Sequence, residues 1–228
     1  VGWLAALLGP GEARSAASAR GLVDPDELEA VLRQVDTGTN APRTSSCGRL
    51  FDAVAALAGV RTAITYEGQA AIELEMVSST GAAPYPYEVD ERKAQSGDAW
   101  GALAADGGEG AVSVIRLAPL FAALLDDLRA GREPPAPLAG SRLHATIPVM
   151  ILDVCRRVRR DEGLRTVVLS GGVFQNRLLT DLCETALAGD GFEVLTHALV
   201  PANDGGLSLG QAAVAGYTLL RDPAVVDR

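Results

Sequence analysis

Apolar and polar positions follow two different rhythms along this chain. Between residues 24 and 38, Leu28, Val31, Leu32 and Val35 recur at three- and four-residue steps among charged positions. That spacing lines one face of a helix. Asp24 is placed to cap it, Pro25 fits its first position without losing a hydrogen bond, and Gly38 marks its stop. The stretch "TSSCGRLFDAVAALAGV" repeats the pattern, with Leu50, Phe51, Val54 and Leu57 set between Ser/Thr capping residues and Gly59. "EGQAAIELEMVSS" predicts one more short helix, and residues 1–40 read as helical.

Beyond residue 78 the rhythm changes. "YPYEVD" and "AVSVIRL" predict two short strands, with an exposed Gly-rich loop, "AQSGDAWGALAADGGEG", between them. "APLFAALLDDLRAG" predicts an amphipathic helix and "REPPAPLAG" a proline-rich connection. "SRLHATIPVMILDVCRRVRRDEG" predicts a long helix in which Pro148 sits near the first turns or makes a kink. Then come a strand ("RTVVLSGG"), a helix ("NRLLTDLCETALAGDG"), a strand ("FEVLTH"), a turn ("PANDGG") and a helix ("LSLGQAAVAGYTLL"). This β-α-β-α order with short connections predicts an α/β fold with a mostly parallel sheet and flanking helices. Residues 1–77 form the helical amino-terminal segment of that picture, and residues 78–228 its α/β part.

Composition narrows the class. Hydrophobic residues make up 48% and charged residues 21%, a soluble globular balance. Aromatics are only 4%, so the core is built from small aliphatic side chains. No run reaches the ~18 to 20 apolar residues of a membrane span. The net charge of −9 argues against a broad nucleic-acid surface, which needs a basic face. Cys47, Cys155 and Cys183 are far apart, with no CxxC pair. They suggest a reduced, cytoplasmic chain without a zinc site or a disulfide framework. The chain opens on Val1, not Met, which reads as a cut end with protein missing upstream.

Several residues carry candidate chemistry, each with a plain structural alternative. Gly171 and Gly172, at the end of a strand, let backbone approach a phosphate closely, or simply make a tight turn. Asn176 is placed to donate to a phosphate or sugar oxygen, and equally to cap the next helix. Asp204 suits a hard cation bridging phosphates, or a helix cap. Strand ends in a parallel sheet open on one edge, so Asp204 and the two glycines are expected to face one crevice. Among Glu67, Gly68, Gln69, Glu73 and Glu75, an acid beside a glycine suits ribose hydroxyls, or is merely solvated. Asp52, beside Phe51 and Val54, needs a partner if buried, and Arg49 is the nearest candidate. His144 and His197 form no HxxxH pair and read as structural. The P-loop, GxGxxG and GxSxG patterns are absent.

Taken together, "TSSCGRLFDAVAALAGV", "YEGQAAIELE", "VVLSGGVFQNRLL" and "VPANDGGLSLGQAAVA" resemble one family in order and spacing. From about Asp24 to Tyr217 the chain resembles the carboxyl-terminal part of the hydrogenase-maturation carbamoyltransferases of the HypF type. That part is similar to the tRNA threonylcarbamoyl transferase subunit and to antibiotic O-carbamoyltransferases. The resemblance implies a ribonuclease-H-like lobe of the actin/sugar-kinase/Hsp70 (ASKHA) fold. It implies carbamoyl transfer from carbamoyl-adenylate, made from carbamoyl phosphate and ATP, to the carboxyl-terminal cysteine of a HypE-type partner. It puts Gly171, Gly172 and Asn176 against the nucleotide, with the glycines on its phosphates. It puts Asp52, Gly68, Gln69 and Glu73 on the adenosine side, Glu73 at the ribose. Asp204 becomes a ligand of an iron- or zinc-type metal. No catalytic residue is assigned. The family's two metal-binding histidines, in its amino-terminal lobe, have no match here, so the chain alone is expected to be inactive. Other expectations consistent with the sequence are an antibiotic or tRNA-modifying relative, the latter disfavoured by charge, and a non-enzymatic lobe that docks a partner.

Overall fold

The computed structural model describes residues 1–93, 111–131 and 135–221. The loop expected at 94–110 and part of the proline-rich connection lie outside them. Three helices come first: α1 (Gly2–Leu8), α2 (Pro10–Arg20) and α3 (Pro25–Thr37). As the sequence predicts, Pro25 opens α3 and Gly38 closes it in the left-handed region at φ 70°. In α4 (Cys47–Leu57), the Ser46 hydroxyl accepts a hydrogen bond from the Arg49 N–H at 3.4 Å. A shorter helix, α5 (Gln69–Met76), follows.

Strands β1 (Glu88–Lys93) and β2 (Ala111–Arg116) form an antiparallel pair, with Val89 opposite Ile115. Helices α6 (Ala118–Arg129) and α7 (Pro135–Glu162) lead into β3 (Thr166–Val168). After β3 come a 3-10 turn at Gly172–Gln175, α8 (Arg177–Gly189), β4 (Glu193–Leu195), a second 3-10 turn at Asp204–Gly206 and α9 (Leu207–Arg221). Strands β3 and β4 are parallel, with Val167 opposite Val194.

Two expectations need correction. The mostly parallel sheet is absent among the described residues, which hold two separate two-stranded sheets, one antiparallel and one parallel. A parallel sheet is stable when both faces are covered. Here Val167 and Val194 lie against the core, while Val168 and Leu195 on the other face are 61% and 46% exposed. The second correction concerns α7. It starts at Pro135, inside the stretch read as a connection, so Pro148 falls in mid-helix and is buried there. Pro135 suits a helix start, and the Ala, Leu and Gly after it continue the apolar face. Pro148 has no N–H, which leaves the carbonyl of His144 without its helical donor.

The core gathers around α7, which buries Leu143, His144, Thr146, Ile147 and Met150 and packs against α4, α5 and α8. By length and composition α7 could cross a membrane, but in this fold it is the central packed helix. The core continues into α6 through Leu120, Phe121 and Leu124, and on to α1, where Trp3 stacks on Phe121 at 5.8 Å between ring centroids. Arg142 ties the segment before β1 to α7. Its guanidinium lies 4.0 Å from the centre of the Tyr85 ring, donates to the Ala83 carbonyl at 3.1 Å and pairs with Asp127. By contrast, α9 buries no residue, and Leu207, Leu209, Val214, Tyr217 and Leu220 are all exposed.

Candidate functional site

The expected site residues fall into three groups. The first lies at the carboxyl ends of β3 and β4. The ladder runs one residue past the strands, where the Leu169 N–H donates to the Leu195 carbonyl at 2.9 Å. Gly171 then adopts φ 104°, a conformation that favours glycine, and its N–H donates to the Ala202 carbonyl at 2.8 Å. That bond joins the Gly171–Gly172 turn directly to the turn carrying Asp204. In the latter, the Asn203 side chain accepts from the Gly205 N–H at 3.0 Å, and the Asp204 carboxylate stays exposed. The two strand-end turns therefore share one edge, as parallel geometry requires. Ser170 and His197 stand beside them, with 2.9 Å between Oγ and Nε2.

The second group surrounds the start of α5. Gly68 precedes the helix at φ 78°. Gln69 is buried: its Oε1 accepts from the Thr65 N–H at 2.8 Å, and its Nε2 donates to Glu73 Oε1 at 2.9 Å. Arg61 grips Glu73 with two hydrogen bonds, 2.9 Å from Nε to Oε2 and 2.6 Å from Nη2 to Oε1. The guanidinium and the Gln69 amide hold the Glu73 carboxyl below its ordinary range. A shallow recess lined by residues from Gly59 to Ala63 lies at Arg61. Sequence reasoning missed Arg61, which pairs across twelve residues of loop and helix. An Arg in the turn before an acidic helix is the signal that could have found it.

The third group joins the other two. Asn176 Oδ1 accepts from the Leu179 N–H at 2.8 Å, so the residue caps α8. Its Nδ2 donates to His144 Nε2 at 2.9 Å, and His144 Nδ1–H donates to the Gly140 carbonyl at 2.7 Å. Phe51 meets the buried imidazole edge-on at 5.1 Å. Glu75 Oε1 accepts from the Leu178 N–H at 3.0 Å, which ties α5 to the start of α8. Helix α4 also touches the Gly172–Gln175 turn. On α4, Asp52 is half-buried. Burial raises its carboxyl above the ordinary range, and Arg49 offsets part of that rise.

His144 gives the site a pH dependence. Burial holds its pKa below 6.5, so the fold keeps it neutral while the unfolded chain takes up a proton. Stability is therefore complete above pH 6.5 and falls as pH drops through the folded value. The urea midpoint is expected to be lower at pH 5.5 than at pH 7.5, and a His144→Asn variant will show a flatter profile.

The cysteines serve packing. Burial pushes the Cys47 thiol up to about 11 and the Cys183 thiol up to about 12, which keeps both unreactive. Among the described residues, no three His, Cys, Asp or Glu side chains gather as a metal-binding group. Asp204 is one exposed donor, short of the three or four protein ligands an iron- or zinc-type centre takes.

Comparison with known proteins follows the same lines. Residues 3–211 match the family described as the carbamoyltransferase Kae1-like domain, second subdomain, of HypF. The chain is 36% identical to the carbamoyltransferase HypF2 of Cupriavidus necator over 200 residues, covering 81% of this chain and 23% of that protein. It is 39% identical to the carbamoyltransferase HypF of Rhodobacter capsulatus over 184 residues, covering 80% of this chain and 21% of that protein. The chain thus spans less than a quarter of these relatives. A solved full-length HypF in its phosphate- and nucleotide-bound form superposes with a TM-score of 0.77 at 35% identity, over 90% of this chain and 25% of that one. These likenesses give the chain an α/β fold of the actin/sugar-kinase/Hsp70 type, rich in helix and with small sheets. The structure of T. kodakarensis HypF, with a TM-score of 0.69 at 24% identity, has the same fold.

Proposed function

The chain belongs to the HypF carbamoyltransferase family, as the second subdomain of its Kae1-like domain, and from that premise we propose that it is a nucleotide-facing, ribonuclease-H-like lobe of a carbamoyltransferase in hydrogenase maturation. The reaction takes carbamoyl-adenylate, formed from carbamoyl phosphate and ATP, and transfers its carbamoyl group to a carboxyl-terminal cysteine of a HypE-type partner. The thiolate forms an S–C bond to the carbamoyl carbon, the C–O bond to phosphate breaks, and AMP leaves with the bonding pair.

One observation carries this reading: the 2.8 Å hydrogen bond from Gly171 to Ala202, which sets two strand-end turns side by side at the sheet edge where this fold class binds ligands. The nucleotide bound to the solved HypF relative supports it. In the proposal, Gly171 and Gly172 lie along the phosphates. Asn176 bonds to His144 through one amide hydrogen and keeps the other for the nucleotide. Asp52, Gly68, Gln69 and Glu73 form the adenosine side, with Arg61 holding Glu73 in place for the ribose. Asp204 supplies one oxygen ligand to an iron- or zinc-type metal whose other ligands lie outside this chain.

Calorimetry with ATP and a divalent metal ion tests the reading. We expect the parent chain to bind ATP with a metal-dependent component that Asp204→Ala abolishes. Equal heats for parent and variant would overturn the assignment of Asp204.

A further inference from the structure

Ser170 and His197 have no role in the reading above, yet they stand at its centre. Ser170 is the second residue after β3, and His197 the second after β4. The two strands are parallel and in register, so equal overruns bring both side chains to the same end of the sheet. There Oγ and Nε2 meet at 2.9 Å, and both residues are solvent-exposed. The next residue along the chain from Ser170 is Gly171, whose N–H holds the Ala202 carbonyl, two residues before Asp204. The pair is thus set by strand register and flanked by both strand-end turns.

Its chemistry depends on where the imidazole proton sits. With Nε2 protonated, the imidazole donates to the serine oxygen, and the serine hydroxyl hydrogen is released to point at an outside acceptor. A hydroxyl aimed in this way suits an anionic oxygen, since hydrogen bonds to charged acceptors are the stronger kind. We propose that Ser170 and His197 form a phosphate-reading pair, in which Ser170 donates to a phosphoryl oxygen of the bound nucleotide and His197 orients the hydroxyl. The pair takes phosphate esters and anhydrides as its ligand class. His197 is the positioning residue and Ser170 the contact. This assignment rests on the nucleotide reading of the strand-end turns and extends it to two residues outside the expected set.

The test compares AMP with adenosine, two probes that differ only in the phosphate. Calorimetric titrations of each are run on the chain and on its Ser170→Ala and His197→Ala variants. We expect AMP affinity to fall about tenfold in either variant, and by little more in the double variant, because the two residues act as one unit. Adenosine affinity is expected to stay within twofold of the parent. Equal loss of AMP and adenosine binding would overturn the proposal, because it marks a general structural effect. AMP affinity unchanged in both variants would overturn it while leaving the nucleotide reading intact. A parent chain that binds neither probe would remove the nucleotide reading and this proposal together.

Discussion

An Asn176→Ala variant will lose about 3 kcal/mol of stability, the combined effect of a lost helix cap and a stranded buried imidazole. The side chain does two things at once. Its oxygen accepts the Leu179 N–H at the start of α8, and its nitrogen donates to His144 Nε2 in the core. Alanine leaves both groups without a partner, and His144 is fully buried, so water cannot replace the donor. Urea denaturation at pH 7.5 measures the loss. An Asn176→Ser variant separates the two parts, because serine still caps the helix but is too short to reach the imidazole. An Asn176→Ser midpoint equal to the parent's would show that the buried pair contributes nothing, and an Asn176→Ala midpoint no lower than that of Asn176→Ser would show the same of the cap.

A Gly140→Val variant will be destabilised by about 3 kcal/mol, at the upper end of overpacking effects. At Gly140, α7 packs tightly against the end of α5. A Cβ there would fall well inside contact distance of Ser78 Oγ and 3.0 Å from Leu74 Cδ1. Neither neighbour yields easily. The Ser78 hydroxyl donates to the Leu74 carbonyl at 2.6 Å, and Leu74 is fully buried. The Gly140 carbonyl also accepts from His144 Nδ1, so a shift of this turn would pull on the imidazole that anchors Asn176. Thermal unfolding followed by circular dichroism checks the prediction. A melting temperature equal to the parent's would mean that the α5–α7 approach has room the structure does not indicate.

The fold and the candidate site differ in how legible they were. Helix α3 could be read almost to the residue, because Pro25, the apolar stripe and Gly38 are local signals, although Asp24 holds the cap position without a side-chain capping bond. The strand–turn–helix order from β3 to α9 was equally plain. Helix α7 was cut short at its start because Pro134 and Pro135 look like linker, whereas Pro135 serves as a helix opening. The extent of the sheet could not be read, since strand count depends on pairings that β-α-β spacing alone does not fix. Of the candidate site, the shared edge of Gly171 and Asp204 followed from parallel topology. Arg61–Glu73 and His144–Asn176 did not, because they are separated by 12 and 32 residues and only the folded chain brings them together. Asn176 was visible as a cap, while its second bond into the core was hidden for the same reason.

The bare surface of α9 has a kinetic consequence. A helix of 15 residues with no buried side chain has little tertiary packing to hold it, and isolated helices of that length are marginal in water. Its backbone amides therefore open by local fraying, while those of α7 open only when the whole core comes apart. Hydrogen exchange is expected to fall into two tiers: a slow tier around His144 and Leu143, and a fast tier beginning just after the Asp204 turn. The turn that carries the candidate ligand lies at the border between them, so whatever settles α9 also steadies Asp204.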